Sequence, residues 1–196
     1  IPAGGEVFER RLRRSQSQGV AAGGRIRCGM IGDLDSRYKG LDVALRAWRV
    51  LRGRGFEMEL HELGSGNLGA WRQEAEKLGV SDLLHLEGSL PSGMPVLQWL
   101  DSMDVYIQPS FQEGLPRALI EAMSRGLPVL GSSCGGIPEL LSGECLHRPG
   151  DHRKLARDME RMIQDAEWRL ALSRRNYAEA RKYHMEKVRA QRQAFW

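Results

Sequence analysis

The sequence predicts an α/β fold: an open, doubly wound parallel sheet of about six strands with helices on both faces. Three observations carry this expectation. Short apolar runs alternate along the chain with longer amphipathic ones. Each short run stops at a Gly, Pro or Ser, where a strand turns out of its sheet. After Pro149 the strand pattern ends and only helical periodicity continues.

From Ile1 to Gly24 the chain is polar and rich in Gly and Arg, without sustained periodicity. Residues 1–24 therefore read as a linker or loosely attached arm, ahead of a single domain over residues 25–196. The candidate strands are IRCGMIG (Ile26 to Gly32), EMELHELG (Glu57 to Gly64), LLHLEG (Leu83 to Gly88), DVYIQP (Asp104 to Pro109), PVLGSS (Pro128 to Ser133) and ECLHRP (Glu144 to Pro149). Between the first two, GLDVALRAWRVLRGRG puts Leu41, Leu45, Trp48 and Leu51 or Val50 on one stripe, with Gly53 and Gly55 as its stop. LGAWRQEAEKLGV follows the second strand, PVLQWLDSM precedes the fourth, and RALIEAMSRG joins the fourth to the fifth. Beyond Pro149, Asp151 is a candidate N-cap for a helix whose face carries Leu155, Met159, Met162 and Ile163. A second helical stretch starts at Ala166, bends around Lys182 to Met185, and ends on Phe195 and Trp196. Trp48, Trp71, Trp99 and Trp168 fall on helical stripes and read as core.

Composition narrows the function classes. The chain is 41% hydrophobic and 28% charged, ordinary for a soluble globular protein. It holds no run of eighteen apolar residues, and no signal-peptide pattern follows Ile1, so a piece of a longer cytoplasmic chain is expected. The net charge of +4 is unevenly placed. Residues 26–150 carry twelve basic and sixteen acidic side chains, whereas residues 151–196 carry twelve and seven. A nucleic-acid binder would gather basic charge on a folded face with interleaved aromatics, so nucleic acid is not expected as a partner. The basic ends are candidates for peripheral contact with an anionic membrane face or with a partner domain. Cys28, Cys134 and Cys145 show no CxxC spacing and read as free thiols in a reducing compartment. His61, His85, His147, His152 and His184 are scattered, with no metal-ligand spacing, and neither a metal nor a cofactor is expected.

In doubly wound sheets, ligands bind beyond the carboxyl ends of the strands, near helix N-termini. The richest such loop is PSFQEGLPRALIEAMSRGLPVLGSSCGGIPELL, Pro109 to Leu141. Glu113 stands just after the fourth strand, and Gly114 lets a backbone approach a ligand closely. Pro116 suits the first turn of a helix, and the free amides around it form an anion site. Glu121 falls one to two turns inside that helix, where a carboxylate can accept from two adjacent ribose hydroxyls.

This segment resembles the signature of retaining glycosyltransferases with the two-Rossmann-domain (GT-B) fold, in the large family numbered four. That signature is two glutamates separated by seven residues, within PS-x-x-EG-x-x-x-x-x-x-EAM-x-x-G-x-PV, then GG-x-x-E. Its elements are present as Pro109, Ser110, Glu113, Gly114, Glu121, Ala122, Met123, Gly126, Pro128, Val129, Gly135, Gly136 and Glu139. The resemblance covers Ile26 to the end and only the second, Rossmann-like half of a family member. It implies that Glu113 contacts donor-sugar hydroxyls and Glu121 the ribose, with amides of Gly114, Leu115 and Arg117 along the sugar and phosphates. In the loop Gly32 to Gly40 the family places an Arg and a Lys that clamp the diphosphate. Lys39 matches; Asp33 stands where the Arg is expected, and Arg37 is the candidate replacement. Gly64 to Asn67 resembles the family's glycine-rich turn, and Glu87 to Leu90 the loop that receives the base through backbone atoms, at Gly88.

By resemblance, then, Lys39 and Glu113 carry the chemistry, and Gly32, Arg37, Gly88, Gly114, Leu115, Arg117 and Glu121 line the donor site. The implied reaction moves a sugar from a UDP- or GDP-sugar to an acceptor hydroxyl with retention, as in polysaccharide biosynthesis, and without a bound metal. The acceptor, a glycan, lipid or other hydroxyl compound, would be held mainly by a preceding domain onto which the helix bearing Phe195 and Trp196 crosses. This half alone is expected to be inactive. Asp33 favours one alternative, a non-catalytic nucleotide-sugar binding module on the same fold. An epimerase or phosphorylase on this fold fits the spacing less well.

Overall fold

The structure, a computed structural model, describes residues 5–17 and 25–183. Its strands are β1 (Ile26–Ile31), β2 (Met58–Leu63), β3 (Leu84–Leu86), β4 (Val105–Gln108), β5 (Val129–Ser132) and β6 (Leu146–His147). Each falls inside its expected run. They form one sheet in the order β3-β2-β1-β4-β5-β6, with every neighbouring pair parallel. All residues of β4 and β5 are buried. A strand covered on both faces reads as a continuous run, not an alternating one, as in VYIQ and VLGS.

The helices are α1 (Gly5–Ser17), α2 (Leu41–Gly53), α3 (Leu68–Leu78), α4 (Met94–Asp101), α5 (Arg117–Ser124), α6 (Ile137–Leu140), α7 (His152–Gln164) and α8 (Ala166–Ala180). α2 packs on α3 and α7, and α5 packs on α4 and α8, so the sheet is covered on both faces. Asn67, Asp151 and Asp165 cap α3, α7 and α8 by accepting from Ala70, Lys154 and Trp168 amides at 3.0, 2.9 and 2.8 Å. Each such cap stabilises its helix by about 1 kcal/mol. Trp48, Trp71 and Trp168 are buried and Trp99 half-buried, as their stripes imply. α8 gives way to a short 3-10 turn at Arg181–Tyr183, where the sequence suggests an interruption. Phe195 and Trp196 lie outside the described residues.

The expected linker over residues 1–24 needs correction: Gly5–Ser17 form helix α1, docked on the domain. Two side chains fasten it. The Phe8 ring stacks on Tyr177, centroids 4.1 Å apart, and fills the space above Gly126, where a Cβ would come within 2.5 Å of it. Arg11 donates to the Met103 and Arg125 carbonyl oxygens at 2.7 and 3.2 Å, just beyond the ends of α4 and α5. Val7, Phe8 and Leu12 do share one face of α1, but a stripe this short among glutamates and arginines does not read as a helix.

From β1 the chain runs outward to β2 and β3, and from β4 it runs the other way to β5 and β6. The loops after β1 and β4 therefore part at the switch point, where such sheets bind ligands. Among the described residues, no helix is long and apolar enough to cross a membrane. Cys28 and Cys145 are buried and Cys134 half-buried, all three as free thiols, and burial pushes the Cys28 and Cys145 thiols up.

Candidate functional site

Glycines press the loops at the switch point together. Gly40 has φ +81°, and a Cβ on it would lie 2.1 Å from the Pro109 carbonyl oxygen at the end of β4. Only a residue without a side chain allows that approach. The Phe111 amide then donates to Tyr38 O at 2.7 Å, tying the β1 loop to the β4 loop. From below, Gly135 at φ +51° abuts Glu113, where a Cβ would sit 1.9 Å from the carbonyl oxygen, and the Gly136 amide donates to Gly114 O at 2.8 Å.

The result is an ion pair. Lys39 Nζ donates to Glu113 Oε1 at 2.8 Å, with the lysine side chain 21% exposed and the glutamate 7%. The same oxygen accepts from Ser110 Oγ at 2.7 Å and Gln108 Nε2 at 2.9 Å. Tyr106 OH donates to Gln108 Oε1 at 2.8 Å. Tyr106, Gln108 and Ser110 are alternate residues along β4 and its exit, so they share one face of the sheet. This row was missed in the sequence, although polar residues at i and i+2 in a buried strand were the available signal. Tyr38, Lys39, Gln112, Glu113 and Gly114 line an open crevice of about 580 Å³.

The other expected site residues are placed less uniformly. Leu115 is exposed on the loop beside the crevice. Pro116 forms the N-cap, one position before the first turn where it was expected, and α5 begins at Arg117. Glu121 is buried and its Oε1 accepts from Arg117 Nε at 2.8 Å, so its carboxylate already has a partner. Arg37 lies over the Trp71 ring, 5.5 Å from the centroid. Gly32 backs onto Lys39, and its amide donates to Leu63 O at 3.2 Å. Gly88 turns the chain after β3 at φ +75°. Of the expected residues, Lys39, Glu113 and Gly114 share the crevice wall; Gly32, Arg37, Gly88, Arg117 and Glu121 lie outside it.

Asp33 is exposed and bonded within its own turn. Its carboxylate accepts from the Asp35 amide at 3.0 Å and from Ser36 Oγ at 2.8 Å. Those bonds hold it below the usual carboxylate range, with Lys39 adding a smaller pull. Asp35 in turn accepts from the Asn67 amide at 2.9 Å, joining the β1 loop to the β2 loop.

Two histidines without metal-ligand spacing in sequence meet across strands. His61 and His85 are register partners on β2 and β3, their rings stacked at 4.4 Å and 10°. With Glu59 they form a trio whose ligand atoms lie within 4.8 Å of one another. Stacked rings send their in-plane lone pairs side by side, however, and do not converge them on one ion. His61 also spends both nitrogens, Nδ1 facing Glu87 at 2.8 Å and Nε2 facing Glu59 at 3.1 Å. The cluster fits a hydrogen-bonded ladder that steadies the loop before Gly88 better than a metal centre.

Residues 25–165 match the family model described as glycosyl transferases group 1. Among curated proteins, the chain is 30% identical to protein CapJ of Staphylococcus aureus over 171 residues, covering 87% of this chain and 44% of CapJ. It is 37% identical to the amylovoran biosynthesis glycosyltransferase AmsK of Erwinia amylovora over 136 residues, 64% of this chain and 33% of AmsK. The chain thus spans less than half the length of these relatives. Anabaena Alr3699/HepE, solved in complex with UDP and glucose, superposes with TM-score 0.75 at 20% identity, over 96% of this chain and 50% of that one. The C-terminal domain of the group 1 glycosyl transferase LpcC from Francisella tularensis superposes with TM-score 0.71 at 18% identity, over 94% of this chain and all of that domain. These likenesses show the fold: a Rossmann-like half of a GT-B architecture.

Proposed function

Because this chain belongs to the glycosyl transferases group 1 family, we propose that it is the donor-binding half of a glycosyltransferase. In this reading a sugar passes from a nucleoside diphosphate sugar to an acceptor hydroxyl with retention at the anomeric carbon. The observation that carries it is the Lys39–Glu113 pair at the wall of the switch-point crevice.

The chemistry follows from the charges. As the sugar–phosphate bond breaks, negative charge grows on the leaving diphosphate. Lys39, exchanging Glu113 for a phosphate oxygen, would stabilise that charge, and the free amides at the start of α5 would add to it. Glu113, with Ser110 and Gln108 holding one oxygen, would accept from sugar hydroxyls. Glu121 would accept from the ribose by sharing or releasing Arg117. Positive charge for the diphosphate comes from side chain and backbone, so no resident metal is invoked. The complex of HepE with UDP and glucose supports a nucleotide-sugar donor here. Acceptor binding is assigned mainly to a domain outside this chain, at a cytoplasmic site with the basic ends available to a membrane face. Asp33, the residue that speaks for a non-catalytic module, is engaged within its own turn.

Calorimetry with UDP, GDP and their glucose or mannose conjugates tests the reading. Binding by at least one, weakened tenfold or more in Glu121→Ala, is the expected result. A folded chain that binds none of them would overturn it.

A further inference from the structure

Glu62 is the second-to-last residue of β2 and is completely buried, yet among the described residues neither of its carboxylate oxygens reaches a hydrogen-bond partner. Its strand neighbours in register are Met30 and Leu86, which offer it nothing polar. Burying an acid this way destabilises the fold relative to an apolar residue of similar size. A buried ionisable group with no structural return and a charged neighbour in a cleft points to function.

The carboxyl reaches up beneath the donor-site loops. Oε1 lies 3.4 Å from where a Cβ would stand on Gly32, and the same distance from that point on Gly64. The Gly32 position is itself 3.0 Å from Cβ and Cγ of Lys39. Glu62 and the aliphatic stem of Lys39 therefore flank one glycine, while the ammonium at the end of that stem sits on Glu113. The Gly32 amide donates to Leu63 O at 3.2 Å and lies near enough to Glu62 to favour its charged form, without meeting hydrogen-bond geometry to it.

The groups that face Glu62 are few. Lys39 attracts its charged form from the β1 loop, while Cys28 on β1 and Tyr106 on β4 are pushed up chiefly by burial, with Glu62 adding to both and Asp104 to Cys28. His61 and Glu59, its neighbours on β2, engage one another and Glu87. Burial outweighs the pull of the Gly32 amide and Lys39, and the carboxyl is pushed up to about 8. At neutral pH it is a neutral acid, and it ionises just above.

We propose that Glu62 is a proton-holding positioning residue of the donor site: neutral, it leaves Lys39 to Glu113 and the diphosphate, and ionised, it draws Lys39 away and repels the phosphates. Nucleotide binding is then coupled to the retention of one proton. This rests on the reading of Lys39 as the cation for the diphosphate. A diphosphate bound above Gly32 raises the proton affinity of Glu62 further, so binding near pH 8 takes up a proton.

The test is calorimetry of UDP and GDP with the full chain from pH 7 to pH 9, and at pH 8 in buffers of differing ionisation enthalpy. The expected Kd rises about tenfold over that range, with proton uptake at pH 8, as for one group titrating near 8 that must stay protonated. Glu62→Gln, which holds the neutral shape permanently, should flatten the pH dependence to within about twofold and abolish the uptake. Glu62→Met serves the same comparison if the first variant does not fold. Binding that is flat with pH in the unaltered chain, or an identical slope in both proteins, overturns the role of Glu62 while leaving the donor site standing. No binding of either nucleotide at any pH overturns the donor-site reading itself.

Discussion

Lys39 Nζ and Glu113 Oε1 stand 2.8 Å apart although 74 positions separate the two residues in the chain. Glu113 is nearly enclosed and its oxygen already takes bonds from Ser110 and Gln108. Removing the lysine leaves a buried carboxylate short of its cation, which costs about 1–3 kcal/mol for a site this close to solvent. Lys39→Ala is therefore expected to lower the melting temperature by a few degrees and to weaken UDP or GDP binding at least tenfold. Lys39→Arg should recover part of both. Unchanged nucleotide affinity in Lys39→Ala would detach this pair from the donor site.

Gly135 separates backbone fit from side-chain chemistry. Its φ of +51° and its 1.9 Å approach to the Glu113 carbonyl leave no room for a methyl group. Gly135→Ala should destabilise the chain by about 1–3 kcal/mol and impair nucleotide binding without altering any charge. Gly143→Ala, whose new methyl would meet nothing within 4 Å among the described residues, is the control and should change neither. Equal melting curves for the two variants would refute the account.

Asp33 invites replacement by the arginine that its family position suggests. The structure argues against a gain. Arginine cannot accept from the Asp35 amide or Ser36 Oγ, so Asp33→Arg and Asp33→Ala should both loosen the β1 loop, by about 0.5–1.5 kcal/mol per lost bond. Faster amide exchange at residues 34–37 and several-fold weaker nucleotide binding are expected, with Asp33→Asn close to the unaltered chain. Tighter binding in Asp33→Arg would show that charge matters more here than loop order.

His147 sets an acid limit. It is buried, neither ring nitrogen has a partner among the described residues, and burial pushes it down to about 4 against an ordinary 6.5; Asp151 raises it and Lys154 opposes. As pH falls through 6.5 the unfolded chain takes up this proton and the folded chain does not. Stability therefore declines between pH 6.5 and 4, by about 3 kcal/mol from this group, and levels off below. Urea unfolding at pH 7, 5.5 and 4.5 should show that slope, reduced in His147→Leu. Parallel slopes would assign acid sensitivity to other groups.

Much of this molecule was legible in its sequence. Strands were readable because a parallel strand covered on both faces is apolar along its length, and its exit loop needs Gly, Pro or Ser. Glu113, Glu121 and Lys39 could be singled out because loop residues at fixed spacing can be read in one dimension, whereas which of them meet could not. Helix α1 was not legible, because its short stripe of Val7, Phe8 and Leu12 lies among charged residues and its fastenings, a ring over Gly126 and a guanidinium on backbone carbonyls, are tertiary.

What the chain order alone determined is the set of elements and the residue types at their ends, because hydrophobic period and turn preference are local properties. The tertiary structure decided which of those ends meet. Register set His61 on His85, the β3-β2-β1-β4-β5-β6 order set Lys39 on Glu113, and the crossing of the Gly32 and Gly64 loops shut Glu62 away from water. Contacts between residues distant in sequence depend on how sheets align and how closely backbones approach, and no local pattern encodes either.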